Sequence, residues 1–244
     1  MRIRTFLTAI VIAGLAFAGG QAAAQDAAAA DPVPAAPTPA EAWTGRVVTT
    51  VTARGAPRPN AKRKLVLKTT APFSGNGTVL LITRRTVVEG VPWVEVLLPK
   101  RPNGTRGWIP QDVLLVSRTK IRVAIDLSER KLRVYRANRR VMTASLAIGK
   151  PATPTPQGRW FAIAERIDTN MPGGFLGPIV LPLTGFSETL NEFAGGDGRV
   201  AIHGTSVPAL IGTQASHGCM RMRNADIVRL ARLATPGTPV AIRG

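Results

Sequence analysis

Short β-favouring runs that end at glycine- or proline-containing turns recur from Arg46 to the C-terminus. The chain contains 24 Gly and 20 Pro, which interrupt long helical repeats because proline removes a backbone donor and glycine weakens helix interiors. One stretch has helical spacing, with Asn224 as its predicted N-cap and an apolar stripe that begins at Ile227. The sequence therefore predicts a mainly β fold with one helix near the C-terminus.

The first 43 residues carry targeting and spacer signals. Arg2 and Arg4 precede a short apolar run and the small residues 22–24, which predicts a signal peptide over residues 1–24. An uncleaved membrane anchor is the alternative interpretation of the same run. Residues 25–43 are rich in Ala and Pro and are predicted to form an extended linker. We expect an exported protein that resides in the periplasm or the cell wall.

Residues 44–118 are predicted to form a small β domain. Asn103-Gly104 supplies the positive φ angles of a tight hairpin turn. Trp93 and Trp108 flank this turn and are expected to meet across the hairpin and fill the core. The segment resembles bacterial SH3-like domains, most clearly at Gly107–Pro110, and the resemblance implies a small β-barrel.

Residues 119–243 are predicted to form a second, larger β domain. Ile121–Asp126 and Lys131–Arg136 have the pattern of a hairpin, and Arg199–His203 is a further strand. The Gly- and Pro-rich stretch Asp168–Phe193 is expected to form a lid over the site.

The imidazole and thiol groups of the chain are concentrated in one short stretch. Cys219 is the only cysteine, and the two histidines are His217, in the same loop, and His203, sixteen residues earlier. A thiol becomes a strong nucleophile as a thiolate, and an imidazole is a usual means of deprotonating it. A small buried residue is the alternative for an isolated cysteine, but the neighbouring histidines favour covalent chemistry at Cys219.

The order of residues suggests a role for each group. A strand end holds His203 rigidly, so that it can take the thiol proton and return it to a leaving amine. Pairing with the imidazole is expected to raise the thiolate fraction of Cys219 at neutral pH. Gly218 permits a close backbone approach, and the N–H groups of Gly218 and Cys219 are candidates for oxyanion stabilisation. Arg221 is a candidate for binding a substrate carboxylate, and His217 either orients the loop or acts as the base itself. No zinc-binding spacing is recognised, so we predict neither a metal nor a cofactor.

The motifs are similar to those of a known enzyme family. His203-Gly204, followed by Ser216–Met222 with the sequence SHGCMRM, resembles the active-site signature of the L,D-transpeptidases, the YkuD-type catalytic domain. Gly149 and the segment Thr153–Gly158 resemble that family's Gly and Thr-Pro-x-Gly elements. The resemblance covers about residues 120–242 and implies a β-sandwich catalytic domain that acts on peptidoglycan stem peptides.

The resemblance also implies residue roles. Cys219 would attack the donor tetrapeptide and His203 would be general base and acid. The Gly204 carbonyl would orient the imidazole, and Arg221 would lie close to the substrate. The oxyanion and substrate region would be shaped by three residues: Ser216, His217 and Gly218. Donor and acceptor stem peptides would be the partners, the product a 3→3 cross-link, and carbapenem-type β-lactams covalent inhibitors.

Charge and chain order limit the other functions. The formal net charge is +18, which attracts polyanions, but aromatic residues make up only 5% and no stacking platform for nucleic acid is recognised. Anionic wall polymers are the expected alternative partners. Three other functions stay open: an L,D-carboxypeptidase or hydrolase with the same acyl-enzyme, and a non-enzymatic wall-binding protein. A cysteine peptidase in which the histidine follows the cysteine is excluded, because no histidine follows Cys219.

Overall fold

The computed structural model describes residues 34–192 and 196–244. The predicted signal peptide and the first part of the predicted linker lie outside these residues. These described residues belong to one compact unit. Within the described ranges no helix has the length and apolar character needed to cross a membrane. The described part is mainly β with a single α-helix, as the sequence predicted.

The first seven strands form one sheet, which we call the N-terminal sheet. Their bounds are β1 Ala42–Val47, β2 Val51–Arg54, β3 Arg63–Leu67, β4 Val79–Val88, β5 Val91–Leu97, β6 Arg106–Pro110 and β7 Leu114–Thr119. The spatial order is β3-β2-β6-β5-β4-β1-β7, with antiparallel neighbours. Strand β1 begins inside the segment predicted as linker, and the SH3-like assignment of this sheet stays a prediction.

Trp93 and Trp108 lie on the same face of the hairpin and are buried, but they are not part of the sheet's main apolar cluster. Trp93 lies opposite Pro110, and Trp108 lies opposite Glu95. The main cluster contains Trp43 instead, together with Val94 and its neighbours on the alternate face. Because side chains alternate along a strand, Val94 and Trp93 face opposite sides.

The second region begins with a hairpin whose bounds agree with the sequence prediction. The strands of its first sheet are β8 Ile121–Asp126, β9 Lys131–Arg136, β10 Arg139–Ser145, β12 Gly158–Ala162 and β18 Pro239–Arg243. Their order is β10-β9-β8-β18-β12. A short parallel pair is formed by β11 Ile148–Gly149 and β16 Gln214–Ser216.

A four-stranded sheet contains His203, and its last strand begins directly after Cys219. Its order is β13-β14-β15-β17, with β13 Ile167–Asp168, β14 Ile179–Phe186, β15 Arg199–His203 and β17 Met220–Arg221. One hydrophobic cluster joins this sheet to the five-stranded sheet and to helix α1, Asn224–Leu233. The large buried area of this cluster is the main source of stability for the region.

Two sequence expectations in this region were wrong. The predicted lid Asp168–Phe193 contains β14, all of whose residues are buried; a strand covered on both faces lacks the alternation that reveals strands in sequence. The residue at the helix N-cap is Arg223, not Asn224. The Asn224 side chain instead accepts a hydrogen bond from the Thr205 backbone N–H at 2.8 Å, which ties the helix start to the segment after His203.

Candidate active site

Strand pairing brings the predicted histidine and the cysteine loop together. Strands β15 and β17 are parallel neighbours, and His203 lies opposite Arg221. Cys219 directly precedes β17, and its thiol receives a hydrogen bond from the Ala201 backbone. The pairing of β15 with β17 is therefore enough to place His203, Cys219 and Arg221 at one end of the sheet.

A cavity of about 340 Å³ lies over this end of the sheet. His203, Ser216, His217, Cys219 and Arg221 all line it. The other lining residues are mostly apolar and come from several connections: Phe73, Phe175, Leu176, Val180, Pro182, Leu190, Val200 and Ala201. A mostly apolar cavity with a few convergent polar groups is typical of a small-molecule or peptide site.

The Gly204 carbonyl orients the His203 ring. Nδ1 of His203 lies 2.7 Å from the Gly204 carbonyl oxygen. A carbonyl oxygen only accepts hydrogen bonds, so the ring proton of the neutral imidazole resides on Nδ1. Nε2 is then the nitrogen with a lone pair that can accept a proton. A side chain on Gly204 would overlap Asn224 Oδ1 and Gly177, which explains why glycine follows the histidine.

Burial keeps His203 and the Cys219 thiol uncharged at neutral pH. It lowers the pKa of His203 to about 4; hydrogen bonds with the backbones of Gly204 and Leu176 raise the pKa, and the Arg221 charge lowers it. Burial raises the pKa of the Cys219 thiol, although the Ala201 hydrogen bond and the Arg221 charge both lower it. The sequence expectation of an increased thiolate fraction in the free protein is therefore not supported.

Arg221 is buried rather than exposed. Its side chain lines the cavity and only 7% of the residue is exposed. The guanidinium lies over the Phe175 ring, with Cζ 4.5 Å from the ring centroid, and Phe175 lies beside the His203 ring at 6.1 Å between centroids. A buried cation that lines the cavity is suited to bind or stabilise negative charge near Cys219.

Ser216 and Gly218 form hydrogen bonds within residues 216–219, which we call the nucleophile loop because Cys219 is its predicted nucleophile. Ser216 Oγ donates to the Cys219 carbonyl at 2.6 Å and accepts from the Gly218 N–H at 3.1 Å. Gly218 has a φ of +113°, a conformation that favours glycine. The Gly218 N–H, proposed from sequence as an oxyanion donor, is thus engaged by Ser216. His217 lines the cavity beside them.

The Thr-Pro segment, Thr153–Gly158, is hydrogen-bonded to the nucleophile loop. Thr155 Oγ1 donates to the Gly218 carbonyl at 2.9 Å and accepts from the Gly149 N–H at 3.0 Å, and all of these groups are buried. The Lys150 N–H donates to the Ser216 carbonyl at 3.0 Å. The resemblance pointed to this segment, but its role as a brace for the nucleophile loop follows from these contacts.

Replacing Thr155 by valine should loosen the nucleophile loop. The change leaves the buried Gly149 N–H and Gly218 carbonyl without a partner, which costs about 1–3 kcal/mol. We expect that loss in the free energy of urea unfolding and a lower rate of substrate turnover. The control is Thr213→Val, because Thr213 is exposed and its hydroxyl donates only to Leu210. Equal unfolding free energies for the two variants would contradict the brace.

Comparison with known proteins identifies the family. The sequence model of the L,D-transpeptidase catalytic domain, YkuD, matches residues 120–242. The chain belongs to this family. Those residues span half of the chain, and they contain His203, which lines the cavity, and the whole nucleophile loop. This finding agrees with the resemblance recognised from the motifs.

Curated relatives are similar to part of the chain. The YkuD protein of Bacillus licheniformis is 38% identical over 121 residues, which cover 50% of this chain and 64% of the relative. The YbiS protein of Escherichia coli K12 is 30% identical over 168 residues, covering 63% of this chain and 54% of the relative. The names of both assign them to the L,D-transpeptidases. The chain thus spans less than two thirds of either relative's length.

Solved structures are also similar. A structure of the L,D-transpeptidase LdtMt1 in complex with imipenem has 15% identity and a TM-score of 0.42, and the match covers 87% of this chain and all of that one. An L,D-transpeptidase from Mycobacterium tuberculosis has 13% identity and a TM-score of 0.43, with 82% and 95% covered.

Two lining features were not predicted from the sequence. Phe175 lies in the predicted lid but was not singled out, and Phe73 lies in the connection between β3 and β4, far from the motif in sequence. An aromatic residue in a Gly- and Pro-rich loop was the only available signal for Phe175. No local pattern distinguishes Phe73, because its place in the cavity depends on tertiary contacts.

Proposed function

We propose that this chain is an exported L,D-transpeptidase that forms 3→3 cross-links between peptidoglycan stem peptides. The observation that carries the proposal is the shared cavity of Cys219 and His203, in which the Gly204 carbonyl fixes the imidazole proton on Nδ1. Family membership supplies the substrate class. The mostly apolar cavity wall suits the alanine-containing part of a stem peptide.

The first half-reaction forms a thioester. Cys219 Sγ attacks the carbonyl carbon between the third and fourth residues of a donor tetrapeptide while its proton passes to His203 Nε2. Collapse of the tetrahedral intermediate breaks the C–N bond, and the imidazolium returns the proton to the leaving D-alanine amine. A neutral thiol in the resting enzyme fits this order, because charge develops only when substrate is present.

The second half-reaction transfers the acyl group. An acceptor amine attacks the thioester carbonyl, gives its proton to His203 and releases the Cys219 thiolate, which recovers the proton. Arg221 would stabilise negative charge close to the reacting carbonyl or bind a carboxylate of the stem. Ser216, His217 and Gly218 would shape the substrate region. Water in place of the amine would make the same site an L,D-carboxypeptidase or hydrolase.

The location and surface of the protein are part of the proposal. Export to the periplasm or cell wall rests on the signal-like N-terminal sequence. The net charge of +18 favours contact with anionic wall polymers. The N-terminal sheet, for which an SH3-like fold is proposed, would contribute to that contact.

Mass spectrometry of the intact protein tests the function. Incubation with a disaccharide tetrapeptide should add the donor mass less D-alanine, and proteolysis should locate the adduct at Cys219. Adding an acceptor stem should remove the adduct and yield a cross-linked dimer, whereas a tripeptide product alone would indicate hydrolysis. A carbapenem should form an adduct at the same residue. The absence of every adduct would contradict the proposal.

A further inference from the structure

The cavity around Cys219 is not formed by the catalytic-domain residues alone. Phe73, in the connection between β3 and β4 of the N-terminal sheet, is one of its lining residues. It lies outside residues 120–242, which the family model matches. The residue is 53% exposed, so a large apolar surface is presented to the cavity rather than buried in a core.

A buried carboxylate fixes the backbone at Phe73. Glu165, only 2% exposed, accepts hydrogen bonds through Oε2 from the N–H groups of Phe73 at 3.0 Å and Ser74 at 2.9 Å. Its Oε1 lies 3.7 Å from an Arg199 nitrogen. Removing a carboxylate from water is costly unless it is paired and hydrogen-bonded, so these partners hold the connection in one place.

Arg199 links the same connection to the cavity wall. Its Cζ lies 5.2 Å from the Phe73 ring centroid and 5.3 Å from that of Phe186, distances at which a guanidinium attracts an aromatic face. Arg199 and Phe73 both line the cavity. Arg199 therefore holds the Phe73 ring, and Glu165 holds its backbone. This part of the cavity wall is formed before any substrate binds.

A second connection of the N-terminal sheet, between β5 and β6, forms hydrogen bonds with the end of β14 and with the segment that follows it. Arg101, between β5 and β6, donates to the Ser187 carbonyl at 2.6 Å and to the Leu190 carbonyl at 2.8 Å. Asn103 exchanges two hydrogen bonds with the Phe186 backbone, at 2.8 and 2.9 Å. Ser187 and Leu190 also line the cavity, so this loop positions part of its wall.

We propose that Phe73 is a substrate-contacting, specificity-determining residue and that the N-terminal sheet supplies one wall of the groove for the acyl-donor peptide. The proposal rests on the proposed function for the identity of the donor. The ring would pack against aliphatic carbons of the stem peptide away from the bond that is cleaved. A contact with such a non-reacting part binds substrate and transition state about equally, so its loss raises KM more than it lowers kcat.

The test is Phe73→Ala in the full chain, with the disaccharide tetrapeptide as donor. We expect kcat/KM to fall about tenfold, mainly through a higher KM, as for the loss of a central aromatic contact. Phe73→Leu should recover most of the loss because it keeps apolar contact. Alkylation of Cys219 by iodoacetamide, which needs no groove, should change less than twofold. The control is Val87→Ala: Val87 is 50% exposed on the same sheet and is not a lining residue.

Three results decide between the explanations. A kcat/KM for Phe73→Ala equal to that of the wild type overturns the groove assignment and leaves the proposed function intact. Equal losses in Phe73→Ala and Val87→Ala also overturn it, because the effect would then be general destabilisation. If the wild-type protein does not turn over the donor, the proposed function fails. In that case the Kd values of the tetrapeptide for the wild type and Phe73→Ala, measured by calorimetry, test whether Phe73 contacts the donor. Equal Kd values overturn the groove assignment.

Discussion

Cys219→Ala should abolish both the acyl adduct and the release of D-alanine from a tetrapeptide donor. Loss of a covalent nucleophile commonly lowers turnover by at least about 10⁴-fold. Cys219 is the only cysteine in the chain, so no other thiol can replace it. Intact-protein mass spectrometry and chromatography of the muropeptides would measure the two effects.

Folding must be separated from chemistry in this variant. Alanine is close in size to cysteine, and the loop is held by the Ser216 and Thr155 hydrogen bonds, which do not use the thiol. The free energy of unfolding should therefore change by about 1 kcal/mol or less. Cross-links formed by a folded Cys219→Ala protein would contradict the acyl-enzyme mechanism.

The regular strands of the fold could be predicted because half-buried strands reveal themselves by alternation. Strands β8 and β9 have the predicted bounds, and β15 ends at His203 as expected. Strand β14 was missed because Pro182 and Gly185 lie within it and all its residues are buried. Trp43 was assigned to a linker because the Ala- and Pro-rich composition before it gives no sign that its side chain enters a core.

The chemistry of the site was accessible to sequence reasoning, but its electrostatics were not. Cys219, His203 and Arg221 carry recognisable groups at a recognisable spacing, and one strand pair is enough to bring them together. The burial that lowers the pKa of His203 depends on the complete tertiary structure. The contact of Glu165 with Phe73 joins residues 92 positions apart, and nothing local in either segment indicates it.

His203→Gln should remove general base catalysis and also change how stability depends on pH. Turnover should fall by about 10²–10⁴-fold, the usual contribution of a positioned acid or base. In the wild-type protein the buried imidazole has a pKa of about 4, against about 6.5 in the unfolded chain. The acid limb of kcat/KM for the free enzyme should accordingly lie near pH 4 rather than 6.5.

The sign of the stability effect follows from the same difference. Between pH 6.5 and 4 the unfolded chain binds a proton at His203 that the folded protein does not, so the free energy of unfolding falls as the pH is lowered through this window. The lowered pKa of His203 corresponds to a total loss of about 3 kcal/mol. Urea unfolding at pH 7, 5 and 4 should show this loss in the wild type and not in His203→Gln. Thr213→Val, which removes no ionisable group, is the control and should keep the wild-type slope. Identical slopes of the unfolding free energy against pH in the wild type and His203→Gln would mean that the pKa of His203 is not lowered by folding. The resting state would then differ from the neutral pair of His203 and Cys219 described above.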